Sequence, residues 1–199
     1  MATRILLASG NPGKLREINT LLKGAAISVA SQAEFGVPDV EETGLSFVEN
    51  AIIKARNGAE HTDLPTIADD SGLEVDALAG APGIYSARYA GSGASDADNL
   101  NKLLVELEGI EESARTARFQ CVMVYLRGPN DPTPLICQGA WEGRILTQAQ
   151  GQNGFGYDPV FYVPTHKCSA AELPDDEKNR LSHRGIALRA LINQLTSQQ

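Results

Sequence analysis

The first apolar run and the turn behind it constrain the fold of this chain more than any other segment. Ile5-Leu6-Leu7-Ala8 is long enough for a short buried strand. The Gly-rich segment 9–14 then separates it from a stretch with leucine and isoleucine at helical spacing. A strand, a tight turn and a helix in this order are typical of α/β proteins. Gly24 is predicted to end this first helix, because glycine commonly follows a helix C-terminus.

The same turn has the composition of a phosphate-binding loop. Glycine lets backbone amides approach a ligand closely, a helix N-terminus presents unpaired N–H groups, and Lys14 adds a full positive charge. Only two residues separate Gly10 from Gly13, and Leu15 stands where a Walker loop has a hydroxyl residue. A plain strand-to-helix turn therefore stays open beside phosphate binding.

Composition and charge narrow the class of partner. The chain has 199 residues, of which 42% are hydrophobic, and this predicts one globular domain over 1–199. The formal net charge of −8 argues against binding a nucleic acid polymer, although a small polyanion fits wherever cations are concentrated locally. No apolar run reaches the length of a membrane span or of a signal peptide, so a cytoplasmic location is expected. The three cysteines, Cys121, Cys137 and Cys168, are widely spaced and are predicted to be free thiols.

Apolar and amphipathic segments continue to alternate along the chain, which favours an α/β fold with a mixed sheet. Further strands are predicted at 27–30, 64–68, 119–126, 135–137, 143–146 and 159–163, with 135–137 and 143–146 forming an antiparallel hairpin. The segment 119–126 is apolar on both faces and is predicted to be central in the sheet. Helices are predicted to begin at the caps Ser46, Ser95 and Ser182, and a helical segment is predicted at 175–181.

Consecutive acids form a second candidate site. The segment Asp69-Asp70-Ser71-Gly72 is predicted to close the strand at 64–68. Paired carboxylates at a strand end suit Mg²⁺, which takes one or two of them together with water and phosphate oxygens. A turn in which the aspartates cap backbone N–H groups is the alternative. For Glu41-Glu42, in a loop, the alternative to a metal ligand is a solvated acidic pair.

The remaining candidates suit a nucleoside and its phosphates. Phe155 lies between glycines, where it is either a stacking surface for a base or a satellite core contact. His183 and Arg184 place cations in the first turn of a helix, where the macrodipole favours anions, so they indicate an anionic or electron-rich ligand. Lys54 lies on the small apolar stripe of its helix and points either to solvent or into a cleft. Together with the turn and the acids, these residues indicate a Mg²⁺-dependent nucleotide phosphohydrolase.

The order of the motifs carries a resemblance that covers nearly the whole chain. The motifs are Ser9-Gly-Asn-Pro-Gly-Lys14, Glu41-Glu-Thr-Gly-Leu-Ser-Phe47, Glu49-Asn-Ala51, Lys54-Ala-Arg56, Ala68-Asp-Asp-Ser-Gly-Leu73, Pro82-Gly-Ile-Tyr-Ser-Ala-Arg-Tyr89, Gly154-Phe-Gly-Tyr-Asp-Pro159 and Leu181-Ser-His-Arg-Gly185. In this order they resemble the inosine/xanthosine triphosphate pyrophosphatase family, with Ser9 where threonine is frequent. The resemblance implies an elongated mixed sheet with flanking helices, two lobes around a central substrate cleft, and a homodimer. It also implies Mg²⁺-dependent hydrolysis of dITP, ITP and XTP to the monophosphate and pyrophosphate.

The resemblance also implies roles for the residues of this chain that match the family's motifs by position. Asp70 would be the general base and would hold Mg²⁺ together with Glu41, although the choice between Glu41 and Glu42 stays open. The implied substrate-binding residues are Ser9, Gly10, Asn11, Pro12, Gly13, Lys14, Lys54, Ser71, Phe155, Gly156, Tyr157, Asp158, Lys178, His183 and Arg184. A non-catalytic nucleotide sensor and a pyrophosphatase for other modified nucleotides are the alternatives.

Overall fold

A mixed sheet organises the chain, as the sequence predicts. The computed structural model describes residues 3–22 and 27–197, so Gly24 lies outside the described residues. The strands are β1 (Thr3–Leu7), β2 (Ile27–Ser31), β3 (Thr66–Val75), β4 (Thr116–Leu126), β5 (Leu135–Ile145), β6 (Phe161–Val163) and β7 (Cys168–Ser169). Their order in the sheet is β2-β1-β3-β4-β5-β6-β7, so β4 is central as predicted. β1 pairs in parallel with β2 and β3, whereas β6 pairs antiparallel with β5 and β7.

Among the described residues, five α-helices flank these strands, and side-chain caps begin three of them. The helices are α1 (Pro12–Leu21), α2 (Phe47–Thr62), α3 (Asp96–Glu106), α4 (Asp175–Leu181) and α5 (His183–Ser197). Asn11 caps α1, Ser46 caps α2 and Ser95 caps α3, each by accepting hydrogen bonds from backbone N–H groups of the first turn. α5 begins directly after Ser182, at the predicted position. None of the described helices is both long and apolar enough to cross a membrane.

Three sequence predictions about the strands are wrong. The acidic segment 69–72 does not close a strand, because β3 continues through it to Val75; lysine and arginine side chains neutralise the two aspartates, so the charged pair does not end the strand. The predicted hairpin is the single strand β5, in which the alternate residues Cys137, Gly139 and Trp141 face inward and the small glycine leaves a gap in the hydrophobic pattern. The segment 159–163 begins as the 3₁₀ turn Asp158–Val160 before β6, since proline favours the first turn of a helix.

The described residues fall into two compact units, each with its own core. Unit 1 comprises the described residues of Met1–Asp70, Cys121–Gly139 and Arg184–Gln199, and unit 2 comprises Ser71–Gln120 and Ala140–His183. The core of unit 1 contains, among others, Ile5, Leu7, Ile18, Ile67, Met123 and Leu188. The core of unit 2 contains, among others, Leu73, Leu103, Phe119, Trp141, Val160 and Phe161. That the two units make one domain over 1–199 stays a prediction.

The three cysteines are free, as predicted. Cys121 and Cys137 are buried and Cys168 is half-buried. Burial raises the pKa of Cys121 to about 12, so this thiol stays protonated at neutral pH.

Candidate active site

The turn between β1 and α1 is built around the side chain of Asn11. Its Oδ1 accepts hydrogen bonds from the backbone N of Gly13 at 2.8 Å and of Lys14 at 3.1 Å. Ser9 Oγ in turn accepts from the backbone N of Asn11 at 3.3 Å. Pro12 is the first residue of α1. A backbone N–H at this position has no partner within the helix, so proline, which lacks one, costs no hydrogen bond. The predicted phosphate turn is therefore a capped helix start, and its amide groups on Gly13 and Lys14 are engaged by Asn11.

The segment that leads into Glu41 and Glu42 lies beside this turn. A Cβ atom added to Gly10 would lie 3.4 Å from Gln32 Nε2 and 3.5 Å from Asp39 Oδ1. Gln32 and Asp39 are themselves hydrogen bonded at 2.7 Å. Glycine at position 10 therefore lets the turn lie close to the segment that leads into the Glu41-Glu42 pair.

Asp69 binds two cations from different helices. Its Oδ2 lies 2.9 Å from Lys14 Nζ and 3.4 Å from Arg184 Nε. Arg184 also pairs with Glu17 on α1. Burial alone would raise the pKa of Asp69, but the charges of Lys14, Arg184 and Lys54 outweigh it and hold this pKa well below its usual range. Sequence reasoning gave Asp69 no role of its own, although two cations depend on it for their counter-charge.

Lys54 joins Asp70 to the acidic loop. Its Nζ lies 2.8 Å from Asp70 Oδ1 and 2.7 Å from Glu42 Oε1. Burial lowers the pKa of Lys54, but the charges of Asp70, Asp69 and Glu42 outweigh that effect and raise it, so the lysine is charged. Burial also raises the pKa of Asp70, and Lys54 opposes this only in part. A buried carboxylate with a raised pKa beside a fixed cation has an environment typical of a general base.

The same carboxylates have oxygens that suit a divalent cation. Asp70 Oδ2 and Asp69 Oδ1 are buried and lack a hydrogen-bond partner among the described residues. Buried anionic oxygens need a donor or a cation, and Mg²⁺ prefers carboxylate oxygens. Within residues 3–22 and 27–197, no three His, Cys, Asp or Glu side chains converge to hold a metal. An ion held here would complete its coordination with water and phosphate oxygens.

The two candidate glutamates differ in their surroundings. Glu41 is exposed, whereas Glu42 is half-buried and bonded to Lys54, which also bonds Asp70. The structure therefore brings Glu42, rather than the adjacent Glu41, to the lysine–aspartate pair.

In unit 2, the loop that carries Phe155 is folded around one carboxylate. Asp158 Oδ2 accepts from the backbone N of Phe155 at 2.8 Å and from Lys178 Nζ at 2.7 Å. Lys178 Nζ also lies 5.0 Å from the centre of the Phe155 ring. Gly154 has a φ of +76°, and a Cβ there would lie 2.1 Å from Asp158 Oδ2, so only glycine fits. Three of the predicted substrate-binding residues, Phe155, Asp158 and Lys178, thus form one cluster.

The other loop residues of unit 2 are fixed by their neighbours. The backbone N of Gly156 donates to Asp96 Oδ2 at 2.8 Å, which ties the loop to the first residue of α3. Tyr157 is buried, and its hydroxyl donates to the carbonyl of Ser86 at 2.8 Å. Neither Asp96 nor Ser86 was predicted to support the site, and only the tertiary structure reveals them.

His183 and Arg184 are adjacent but have different environments. The His183 ring stacks on Phe119, with centroids 4.8 Å apart and an interplanar angle of 14°. Arg184 is buried in unit 1 against Asp69 and Glu17. Ser71, half-buried, directly follows Asp70 within β3.

Comparison with known proteins agrees with this arrangement of motifs. The model of the Ham1 family matches residues 5–194. A dITP/XTP pyrophosphatase of Vibrio parahaemolyticus is 60% identical over 195 residues, with 98% of both chains covered. One of Thioalkalivibrio sulfidiphilus is 60% identical over 192 residues, with 96% of this chain and 98% of the other covered. The solved structure of a HAM1 protein from Coxiella burnetii has a TM-score of 0.91 at 54% identity and covers 98% of this chain and 99% of that one. The chain belongs to the Ham1 family.

Proposed function

We propose that this chain hydrolyses the non-standard purine nucleoside triphosphates dITP, ITP and XTP to the nucleoside monophosphate and pyrophosphate, and so removes deaminated purines from the nucleotide pool. The observation that carries the proposal is the buried carboxylate of Asp70. One of its oxygens is bonded to Lys54, and the other lacks a hydrogen-bond partner among the described residues. The names of the curated relatives support the same reaction.

The proposed metal is Mg²⁺, held by Asp70 and Glu42. Sequence reasoning named Glu41 for this role and left the choice between Glu41 and Glu42 open, and the contact of Glu42 with Lys54 favours Glu42. When bound, Mg²⁺ neutralises triphosphate charge and lowers the pKa of a coordinated water. Asp70 would accept the proton of the water that attacks the α-phosphorus, because its buried Oδ2 lacks a hydrogen-bond partner among the described residues.

The cations of unit 1 serve the phosphates in this proposal. Ser9, Gly10, Asn11, Pro12 and Gly13 form the turn that receives them. Lys14 and Lys54 stabilise the charge that develops on the departing pyrophosphate. Both lysines are held by carboxylates before substrate arrives, which fixes their positions and avoids reorganisation during the reaction.

The residues of unit 2 serve the nucleoside. Phe155 stacks on the base, and Gly156, Tyr157, Asp158 and Lys178 shape the pocket around it, with Ser71 as a further contact. The 6-keto oxygen of hypoxanthine or xanthine accepts a hydrogen bond from His183 or Arg184. The 6-amino group of adenine would bring a donor against a donor, which costs about 1–3 kcal/mol for each unpaired buried group. We further propose that the enzyme is a cytoplasmic homodimer, as the resemblance implies.

One assay tests this function. ITP, XTP, dITP, GTP and ATP are incubated with Mg²⁺ or with EDTA, and pyrophosphate is measured separately from orthophosphate. We expect pyrophosphate from ITP, XTP and dITP, almost none from ATP, none with EDTA, and a loss of most of kcat in the isosteric variant Asp70→Asn. Orthophosphate as the first product would contradict attack at the α-phosphorus. Tight binding without turnover would instead favour a nucleotide sensor, and turnover of modified pyrimidines would favour a related pyrophosphatase.

A further inference from the structure

The loop that carries Glu42 is anchored to α2 on both sides of that residue. On the N-terminal side, Asn57 Nδ2 donates to the carbonyl of Pro38 at 2.8 Å. On the C-terminal side, the backbone N of Gly44 donates to Asn50 Oδ1 at 2.8 Å. Glu42 lies between these anchors and contacts Lys54, which lies on the same helix, one turn after Asn50.

Asn50 is an unusual choice for its position. It is fully buried on an apolar stripe with Ala51 and Ala55, and its Nδ2 has no hydrogen-bond partner among the described residues. A buried amide with an unmade bond is less stable there than an apolar side chain of similar size. What asparagine provides here, and an apolar side chain could not, is therefore the hydrogen bond that its Oδ1 accepts from the loop backbone.

The loop is shaped to receive that bond. A Cβ added to Gly44 would lie 2.7 Å from Asn50 Oδ1 and 2.5 Å from Glu49 Cβ, so only glycine lets the backbone approach the helix this closely. The next residue, Leu45, donates its backbone N to Glu49 Oε2 at 2.9 Å, at the exposed start of α2. The buried part of the anchor is the contact between Gly44 and Asn50.

We propose that Asn50 is a positioning residue for the metal site, which holds the backbone at Gly44 so that the Glu42 carboxylate stays beside Lys54 and Asp70. The proposal rests on the proposed function, because it assigns Glu42 to the metal. Without the amide oxygen of Asn50, Glu42 loses its nearest buried anchor and samples other positions. Removing a group that orients a metal ligand typically weakens metal binding by about 10–100-fold.

The test measures metal binding apart from turnover. Mn²⁺ alone is titrated into the full-length protein, and free Mn²⁺ is followed by electron paramagnetic resonance. We expect Asn50→Leu to raise the Kd for Mn²⁺ at least tenfold, as Glu42→Gln does, and the double variant to be no weaker than Glu42→Gln. Asn50→Asp keeps the acceptor and should bind Mn²⁺ no more weakly than the wild type. Gly44→Ala disturbs the same contact from the loop side and should behave like Asn50→Leu.

A matched control lies in unit 2. Asn99 is a buried helix residue whose Oδ1 also accepts from a loop backbone N, that of Ala90, at 2.7 Å. Asn99→Leu also removes the hydrogen bond that Asn99 Nδ2 donates to the carbonyl of Ala87, so it should cost at least as much stability in urea as Asn50→Leu, but it should leave the Kd for Mn²⁺ unchanged. If Asn50→Leu and Gly44→Ala bind Mn²⁺ like the wild type, or if Asn99→Leu weakens binding equally, the positioning role is wrong. If the wild type nevertheless releases pyrophosphate from ITP, the proposed function stands and only the positioning role is wrong. A wild type that neither binds Mn²⁺ nor releases pyrophosphate would overturn both.

Discussion

In unit 1, Asp69 supplies the negative charge that neutralises Lys14 and Arg184. We expect Asp69→Asn to lower the free energy of unfolding by about 3–5 kcal/mol at neutral pH, since it leaves a buried arginine with less counter-charge. Urea denaturation of the two proteins measures the difference. Glu142→Gln, which removes one partner of the more exposed Arg118, should shift the midpoint far less.

The difference in the free energy of unfolding between the wild type and Asp69→Asn should depend on pH, as set by the pKa of Asp69. The folded protein holds this pKa below the unfolded value of about 3.9, so the stabilisation is fully present above that value. It is lost as the pH falls toward the folded pKa, because the carboxylate must then be protonated in both states. The gap between wild type and Asp69→Asn should be constant from about pH 5 to 8 and shrink below about pH 4. A gap that widened in acid would show that Asp69 is not the ionised partner.

Base selection is best tested at His183, since Arg184 also holds Asp69 and Glu17. His183→Phe keeps an aromatic ring stacked on Phe119 and removes the N–H groups. We expect the ratio of kcat/KM for ITP over ATP to fall by about 5–150-fold, which corresponds to the loss of about 1–3 kcal/mol of discrimination. His166→Phe, at a partly exposed histidine of the same unit, should leave this ratio unchanged. An unchanged ratio in His183→Phe would assign the base reading to another residue.

Single residues also show where sequence reasoning reaches its limit. The motifs identified Lys14, Lys54 and Asp70, because each carries a charge next to a turn or on an apolar stripe. The choice between Glu41 and Glu42 depends on how the loop lies against α2, which the contacts of Gly44 and Asn57 decide. Neighbouring loop residues have no fixed period, so no pattern in the sequence distinguishes them.

At the scale of elements, β3 shows why the ends of strands are hard to predict. The rule that charge ends a strand fails at Asp69-Asp70, because residues distant in sequence, Lys14, Lys54 and Arg184, neutralise the pair. The helices were predicted better, since their caps and apolar stripes are local signals. The sequence prediction divides β5 into two strands because Gly139, although buried, has no hydrophobic side chain that would mark it as part of a strand.

The packing of α2 on the sheet depends on one glycine. A Cβ added to Gly58 would lie 2.7 Å from Leu6 Cδ2 and 3.2 Å from Ala8 Cβ. Alanine is favoured over glycine in a helix by about 1 kcal/mol, but overpacking a close-packed core costs about 1–3 kcal/mol. We therefore expect Gly58→Ala to be neutral to destabilising by up to about 2 kcal/mol in urea denaturation. Arg56→Ala, on the exposed side of the same helix, should be close to neutral; a gain of stability in Gly58→Ala would show that the contact is loose.

At the scale of the whole molecule, an acidic chain binds an anionic substrate by keeping its site cations paired in advance. The net charge is −8, yet Lys14, Lys54, Lys178 and Arg184 each lie against a carboxylate. Pairing holds these cations in position, at the cost of competition between the carboxylates and the phosphates. Mg²⁺ offsets that competition in our proposal, because it adds positive charge where Asp70 and Glu42 supply negative charge.

Binding of the product should therefore stabilise the folded chain selectively. At a concentration about 100-fold above its Kd, a ligand that binds only the folded state adds about 2.7 kcal/mol. For a chain of 199 residues this corresponds to a rise in Tm of about 5–11 °C. We expect calorimetry to show this rise with inosine monophosphate and Mg²⁺, and a much smaller one with adenosine monophosphate at the same concentration. Equal shifts would mean that the site does not read the 6-position of the base, even if pyrophosphate release were observed. The selectivity of the enzyme would then have to arise in the transition state, where only the ratio of kcat/KM values reports it.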